Sequence, residues 1–183
     1  MAETGIVTND PTLGRLPKLW MGFILSGVVA VAETLDVALG PSWDTVFDTA
    51  VIGSWCYWLF CVFRFHDVVG SVQGYRHPIT PARAVAMHFV PLYNLYWVFR
   101  WPSRIALFVN WRTQSNSMKG WIPGILVLGS VIMIRLIDGF VGCVMLFSAG
   151  AYISSWIRRA AKAGPVPSSA MAPPPYPQIL PLS

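Results

Sequence analysis

The amino-acid sequence predicts an all-α integral membrane protein, a helical bundle of about four spans with a re-entrant or interfacial helical segment in its middle. Hydrophobic residues make up 55% of the 183-residue chain and charged residues only 11%, too little polar surface to cover a soluble domain. The mean hydropathy is +0.54. Four long apolar stretches cover residues 19–38, 49–63, 85–99 and 122–157. Because a helix needs ~20 apolar residues to cross a bilayer, we expect a single transmembrane domain over residues 17–160.

The first apolar stretch predicts a span over about residues 17–39, preceded by a cytoplasmic segment of residues 1–16. Arg15 and Lys18 before an apolar run that ends in small residues are also compatible with a secretory signal. The long polar stretch ahead of the run and the helix-compatible residues beyond Glu33 favour a retained span.

A second span is predicted over about residues 47–66, and the charges around it indicate orientation. Lys and Arg collect on the cytoplasmic side of membrane helices. Arg15 and Lys18 precede the first span, and Arg64 lies at the end of the second, whereas the intervening loop holds Asp44 and Asp48 and no basic residue. Further basic residues follow at 76, 83, 158, 159 and 162. We therefore expect both termini to be cytoplasmic, in a bacterial inner membrane.

The stretch 85–99 is too short and too irregular for an ordinary span. Its 15 residues reach only ~22 Å as a helix, and they include Pro91 and Asn94. A crossing here would place the following Arg100, Arg104 and Arg112 outside, against the charge rule. We predict a re-entrant or interfacial hairpin over residues 82–113, with Pro91 and Asn94 packed against other spans because irregular backbone at membrane depth must be covered. The three arginines are expected to contact lipid headgroups.

The last apolar stretch is interrupted by Arg135 and Asp138, and two arrangements are compatible with it. In the first, the chain turns near Asp138 and gives spans over about 122–137 and 139–158, with the charges at the outer surface. In the second, residues 85–99 cross the membrane and one long span holds an intramembrane ion pair. Because Arg near the bilayer centre costs about 2.5–3.5 kcal/mol on insertion scales, the first is favoured. Residues 161–183 are rich in proline, which predicts an extended tail.

A motif in the middle of the chain carries a family resemblance. Residues 75–85 read YRHPITPARAV, residues 89–95 read FVPLYNL, and Arg100 and Arg104 follow. This stretch resembles the central motif of bacterial multi-span membrane families of unknown function, T/S-P-G-x-A-V followed by F-I-P-x-x-N-L and a basic amphipathic segment. The chain departs from that motif at Ala82 and Val90. The resemblance implies the architecture and singles out Pro81, Pro91 and Asn94, but it implies no activity.

Four charged residues are the candidate polar site within the membrane. Glu33 and Asp36 lie one helical turn apart near the outer end of the first span, and Arg135 and Asp138 are expected in the same layer. Intramembrane charges often mark ion pathways. The four could form a cation or proton site, or Glu33 and Asp36 could simply lie in water at the interface or pair with Arg135.

No motif predicts a cofactor with any specificity. His66 and His88 could each give an axial nitrogen to a haem or a chlorophyll-type pigment, as could His77, but no two share a helical face at ligand spacing. A hydrogen-bonded histidine at the interface is the simpler alternative. The three cysteines, at 56, 61 and 143, form no C-x-x-C pair, so we expect no metal. Bound lipid is the only ligand expected.

Small residues on the first span, Gly22, Ser26 and Ala30, form a stripe that allows close helix packing. They are expected to pack within the bundle, with a partner helix as the alternative.

We find no catalytic constellation, and the predicted function is a non-catalytic accessory or scaffold subunit of a larger membrane complex, respiratory or photosynthetic. The alternative is a small independent transporter or ion-handling protein. The expected partners are membrane lipids and other integral membrane proteins. The basic residues flank membrane segments, so they indicate anionic lipid rather than nucleic acid.

Overall fold

The structure, a computed structural model, describes residues 15–40, 43–72 and 75–163. Most of the predicted N-terminal segment and the proline-rich tail from residue 164 lie outside the described residues. In the part of the chain that the structure describes, all regular structure is helical. The predicted all-α class is confirmed.

Six α-helices and one 3-10 turn form the described fold. Three of the helices, α1, α2 and α6, are long and apolar enough to cross a membrane, and α5 is a shorter apolar helix. These lengths support a membrane protein. The bounds are α1 Trp20–Leu39, α2 Asp44–Gly70, α3 Pro81–Ala86, the 3-10 turn Met87–Phe89, α4 Tyr93–Thr113, α5 Trp121–Leu136 and α6 Gly139–Lys162.

Helix α1 runs antiparallel to both α2 and α6, which gives the bundle two distinct ends. At one end the Tyr57 hydroxyl of α2 donates to the Lys18 carbonyl, 2.8 Å away, just before α1. At the other end the Glu33 carboxylate of α1 meets the start of α6. We call the first the basic end, since it holds Arg15, Arg64, Arg158, Arg159 and Lys162. The second, the acidic end, holds Glu33, Asp36, Asp44, Asp48 and Asp138.

The small-residue stripe of α1 packs inside the bundle against α6. Gly22 is buried, and a Cβ atom there would clash with the ring of Phe147. Ser26 is fully buried, and its hydroxyl donates to the Gly22 carbonyl of its own helix at 3.0 Å. The two helices approach closely because these positions carry almost no side chain.

The last apolar stretch forms two helices, as in the first of the two arrangements considered from the sequence. The break falls at Ile137 and Asp138. The Asp138 side chain is the N-cap of α6 and accepts a hydrogen bond from the Val141 amide at 2.7 Å. Asp is among the preferred N-cap residues because its carboxylate pairs an amide that has no partner within the helix.

The segment between α2 and α5 forms a helical hairpin. Thr80 caps α3, with Pro81 at the first helical position. After the 3-10 turn the chain breaks at residues 90–92, where Leu92 has a φ of 60°. The indole nitrogen of Trp97 on α4 then donates to the Ala84 carbonyl of α3 at 3.0 Å, so α4 runs back beside α3.

The tip of this hairpin lies beside the half of α2 nearer the acidic end. Phe89 shares a cavity with Asp48 and Trp55. Asn94 is half-buried and faces Trp55 and Arg135. Pro91, by contrast, is exposed, so the expectation that it packs against other spans is wrong. The backbone reversal at residue 92 leaves the proline ring on the outer side of the tip.

Candidate functional site

Three histidines from separate elements converge in the interior of the bundle. His66 lies on α2 and is fully buried, His77 lies in the segment before α3, and His88 lies in the 3-10 turn. The Nδ1 atom of His66 is 2.6 Å from the Nε2 atom of His77. At this distance one of the two rings donates a hydrogen bond to the other.

The tautomer of His88 follows from its partner. Its Nδ1 atom lies 2.8 Å from the Ala84 carbonyl oxygen, which can only accept, so Nδ1 carries the hydrogen in the neutral ring and Nε2 keeps a lone pair. That Nε2 atom is buried without a hydrogen-bond partner among the described residues, and the same is true of His66 Nε2 and His77 Nδ1. Each of the three rings therefore has one buried nitrogen atom without a hydrogen-bond partner among the described residues.

Trp101 of α4 packs against two of these rings. It is fully buried, and its ring centroid lies 5.7 Å from that of His66 and 6.2 Å from that of His88. Trp58 of α2, also fully buried, approaches Trp101 edge-on at 6.1 Å. Two large aromatic rings thus pack beside the histidines.

Cavities lie on both sides of this cluster. A cavity of about 700 Å³ at the basic end is lined by His66, His77 and Arg76, among others. A second cavity, of about 290 Å³, lies toward the acidic end, where His88, Asn94 and Arg135 line it. His66 and His77 therefore border the cavity at the basic end, and His88 borders the cavity toward the acidic end.

Arg104 is buried beside the histidines, and its predicted contact with lipid headgroups is wrong. Only 7% of its surface is exposed. The side chain turns inward because its helix neighbours Trp101, Ile105 and Phe108 are core residues. Burial, with the charge of Arg104 as a second cause, lowers the pKa of His77 to about 4.

The other two arginines of α4 lie nearer the surface. Arg100 is half-buried, with its guanidinium carbon 5.6 Å from the centre of the Tyr96 ring. Arg112 is also half-buried. Their contact with lipid headgroups stays a prediction.

The charged residues at the acidic end have structural roles that the sequence did not indicate. The two carboxylate oxygens of Glu33 each accept a backbone hydrogen bond at 3.2 Å, from the amides of Gly139 and Phe140 at the start of α6. Asp138 caps the same helix. The carboxylates favour this place because unpaired amides and the helix dipole both attract negative charge there.

The ion pair that Arg135 and Asp138 could have formed is absent from the described residues. One ion pair within the described residues joins Arg64 to Asp67, at 2.9 Å. Arg135 is exposed and lines the cavity near the hairpin tip, whereas the carboxylate of Asp138 turns toward α6 to cap it. Asp36 is half-buried near the end of α1 and forms no ion pair with Arg135 among the described residues.

The convergence of the histidines was missed from the sequence because it depends on tertiary packing. Residues 66, 77 and 88 lie on three different elements, so no helical spacing reports that they meet. The regular interval of 11 residues would place the three on nearly one face of a single continuous helix, but the chain between residues 66 and 88 is not one helix. Among the residues that the structure describes, no group of three or more His, Cys, Asp or Glu is placed to hold a metal ion. A haem or pigment on His66 or His88 stays a prediction.

The low pKa of His77 predicts that the folded protein loses stability in acid. An unfolded histidine binds a proton below a pKa of about 6.5, whereas His77 binds one in the fold only near pH 4. The contribution of neutral His77 to the free energy of unfolding is therefore fully present above pH 6.5 and is lost as the pH falls from 6.5 to 4. We expect a loss on the order of 2 kcal/mol, allowing for the partly exposed ring.

This dependence can be measured as the midpoint of thermal unfolding of the purified protein in detergent across that range. His77→Gln should give a flatter profile than the wild type. An equally steep profile in His77→Gln would contradict the assignment to this ring.

No protein-family model, curated protein or solved structure matches this chain. The geometry of the site therefore carries the functional argument, and the motif resemblance of residues 75–95 stays a prediction.

Proposed function

We propose that this chain is a small ion-handling membrane protein, in which the buried histidines connect the two faces of the membrane. The observation that carries the proposal is the position of His66, His77 and His88 between a cavity at the basic end and a cavity toward the acidic end. Burying ionisable side chains in a membrane bundle is expensive, and such residues commonly mark ion or proton pathways.

The membrane placement that supports this proposal uses α1, α2, α5 and α6 as crossings and the α3–α4 hairpin as a re-entrant segment. The exposed side chains at the hairpin tip are large and apolar: Phe89, Val90, Leu92, Leu95 and Tyr96. Such a surface suits lipid rather than water. The charge rule then assigns the basic end to the cytoplasm, with both termini on that side, as expected for a bacterial inner-membrane protein.

A broken helix within the membrane is a second support. Membrane transporters place their ion sites where helices are interrupted, because freed backbone and polar side chains can line a cavity there. Here the break at residues 90–92 separates His88 from Asn94, and both side chains line the same cavity.

The residues that we propose to handle the ion are thus the three histidines rather than the acidic residues considered from the sequence. Glu33 and Asp138 hold the start of α6 in place. The scaffold or accessory subunit of a respiratory or photosynthetic complex, which was ranked first from the sequence, rests on size and composition and stays a prediction. A passive scaffold has no need of three histidines placed beside two cavities. We therefore rank ion handling above the scaffold function.

The test is charge movement through the purified full-length protein. The protein would be reconstituted in liposomes on a solid-supported membrane and exposed to steps in Na⁺, K⁺, Cl⁻ or H⁺ concentration. We expect a charge displacement that protein-free liposomes lack and that His66→Gln removes.

Ser26→Ala is the matched control, since it changes a buried polar residue on α1 whose hydroxyl bonds only its own helix. It should retain the signal. A folded wild-type protein that moves no charge with any of the four ions would refute the proposal.

A further inference from the structure

We infer that a phospholipid with a primary ammonium group binds in a groove on the membrane-facing side of α2, near the acidic end. The groove is a cavity of about 440 Å³ between α2, the hairpin tip and α5. We call it the α2 groove, and it is lined by Asp48 and Arg135 at one end and by Ile52, Trp55, Leu59 and Phe89 along its length. This binding site goes beyond the proposed function and uses only the membrane placement given there, not ion movement.

The length of the α2 groove matches one acyl chain. On α2 the lining positions are spaced three or four residues apart from Asp48 to Leu59, so they share one helix face. This part of the helix is ~16 Å long, and one leaflet contributes about half of the ~30 Å hydrocarbon core. The volume of the groove also lies within the range of ~300–1,000 Å³ that small-molecule sites have. An acyl chain in the groove therefore follows α2 from the acidic end toward the middle of the membrane.

The walls of the groove are apolar side chains that the rest of the protein leaves largely uncovered. Ile52 of α2 is 62% exposed and Phe89 of the hairpin tip is 70% exposed. Trp55 is half-buried. An acyl chain between α2 and the tip contacts protein on two sides, whereas a lipid against a single helix contacts it on one, and dispersion attraction grows with the number of contacts. The groove therefore favours a bound lipid over the exchanging lipid around it.

Two opposite charges lie at the acidic end of the groove. Asp48 lies near the start of α2 and Arg135 in the last turn of α5, and both line this one cavity. No ion pair joins these two side chains in the part of the chain that the structure describes. A headgroup of phosphate and primary ammonium carries the complementary charges. Its phosphate accepts hydrogen bonds from the guanidinium, and its ammonium donates to the carboxylate.

The acidic residues nearby favour this headgroup over an anionic one. Asp44 and Asp48 lie close enough to Asp36 for their charges to interact. A lipid with a net negative charge, such as phosphatidylglycerol, is disfavoured because like charges repel at such a site. Phosphatidylcholine has no net charge, but its quaternary ammonium has no hydrogen to donate. We therefore expect phosphatidylethanolamine to bind more tightly than either.

The experiment measures lipid binding to the full-length protein in detergent by native mass spectrometry. Phosphatidylethanolamine, phosphatidylcholine and phosphatidylglycerol with the same acyl chains would be added one at a time. We expect phosphatidylethanolamine to bind about fivefold more tightly than the other two, the size of effect expected for one exposed ion pair.

Cys56 reports whether the lipid occupies this groove. Its thiol is exposed and lines the groove, whereas Cys61 and Cys143 are buried. Bound phosphatidylethanolamine should slow the modification of Cys56 by methyl methanethiosulfonate, measured as the mass increase of the peptide that contains it. The other two lipids should slow it less. Phosphoethanolamine, which is the headgroup without acyl chains, should not slow it.

Two substitutions remove the two charges separately. Asp48→Asn removes the partner of the ammonium and should lower the binding of phosphatidylethanolamine to the level of phosphatidylcholine. Arg135→Gln removes the partner of the phosphate and should weaken the binding of all three lipids. Asp44→Asn and Arg158→Gln are the matched controls, since they remove the same charges outside the groove. Both should retain the preference for phosphatidylethanolamine over phosphatidylcholine.

Three results would overturn the binding site: equal binding of the three lipids, tighter binding of phosphatidylglycerol, or a preference for phosphatidylethanolamine that survives both Asp48→Asn and Arg135→Gln. Unchanged modification of Cys56 would also overturn it, since the lipid would then bind elsewhere. The wild-type ranking and the protection of Cys56 decide the question where a variant does not fold. None of these measurements needs ion movement, so their failure leaves the proposed function in place, and a protein that moves no ion leaves the lipid site in place.

Discussion

Gly142→Ala should destabilise the protein by about 3 kcal/mol, although it adds only one methyl group. A Cβ atom at this position of α6 would lie 2.8 Å from the Ser130 carbonyl oxygen and 2.8 Å from the Ile134 amide nitrogen, both in the backbone of α5. Backbone atoms cannot move aside as a side chain can. The two helices would have to separate along their interface, which loses contacts well beyond the substituted residue.

Gly129→Ala on α5 is the matched control at the same helix pair. Its Cβ atom would meet only the terminal methyl of Met145, at 2.8 Å, and that flexible end can shift. Because alanine favours a helix over glycine by up to about 1 kcal/mol, Gly129→Ala should be neutral or slightly stabilising. The measurement is the midpoint of unfolding in detergent for both variants. Equal midpoints would show that α5 and α6 are not held by this close approach.

Much of the helical framework could be predicted because its signals are local. Apolar length predicts α1, α2 and α6, and Asp138 before Gly139 indicates where α5 and α6 separate, since aspartate caps helices and an uninterrupted span would bury two charges. Thr80 and Pro81 likewise indicate the start of α3. Each of these conclusions uses residues within one or two helical turns of one another.

The site could not be predicted, because the position of each of its side chains depends on contacts with residues far away in the sequence. His77 contacts His66 only because the chain folds back toward α2 after that helix ends. No residue near position 77 indicates this reversal. Arg104 looked like a headgroup ligand because a basic residue on an amphipathic segment usually is one. Its helix instead turns its aromatic face to the bundle, and Arg104 is carried inward with Trp101. The role of Glu33 at the start of α6 depends in the same way on residues more than 100 positions apart.

Trp101→Ala should cost about 3–5 kcal/mol of stability, the range for removing a buried aromatic side chain from a core. The ring is fully buried and contacts Trp58, His66 and His88, so three neighbours lose a packing surface at once. Trp121→Ala is the control. It removes the same ring from a position that is 57% exposed, and it should leave the unfolding midpoint in detergent nearly unchanged.

The same substitution should also change ion movement if the proposed function is correct. Removing the ring leaves a void beside His66 and His88, near the two cavities that these histidines line. Polar groups line both cavities, so water can enter such a void. A water-filled connection admits small ions, and folded Trp101→Ala protein in liposomes should pass Na⁺ or Cl⁻ faster than the wild-type protein. Unchanged rates for both ions would mean that the barrier to these ions does not lie at Trp101.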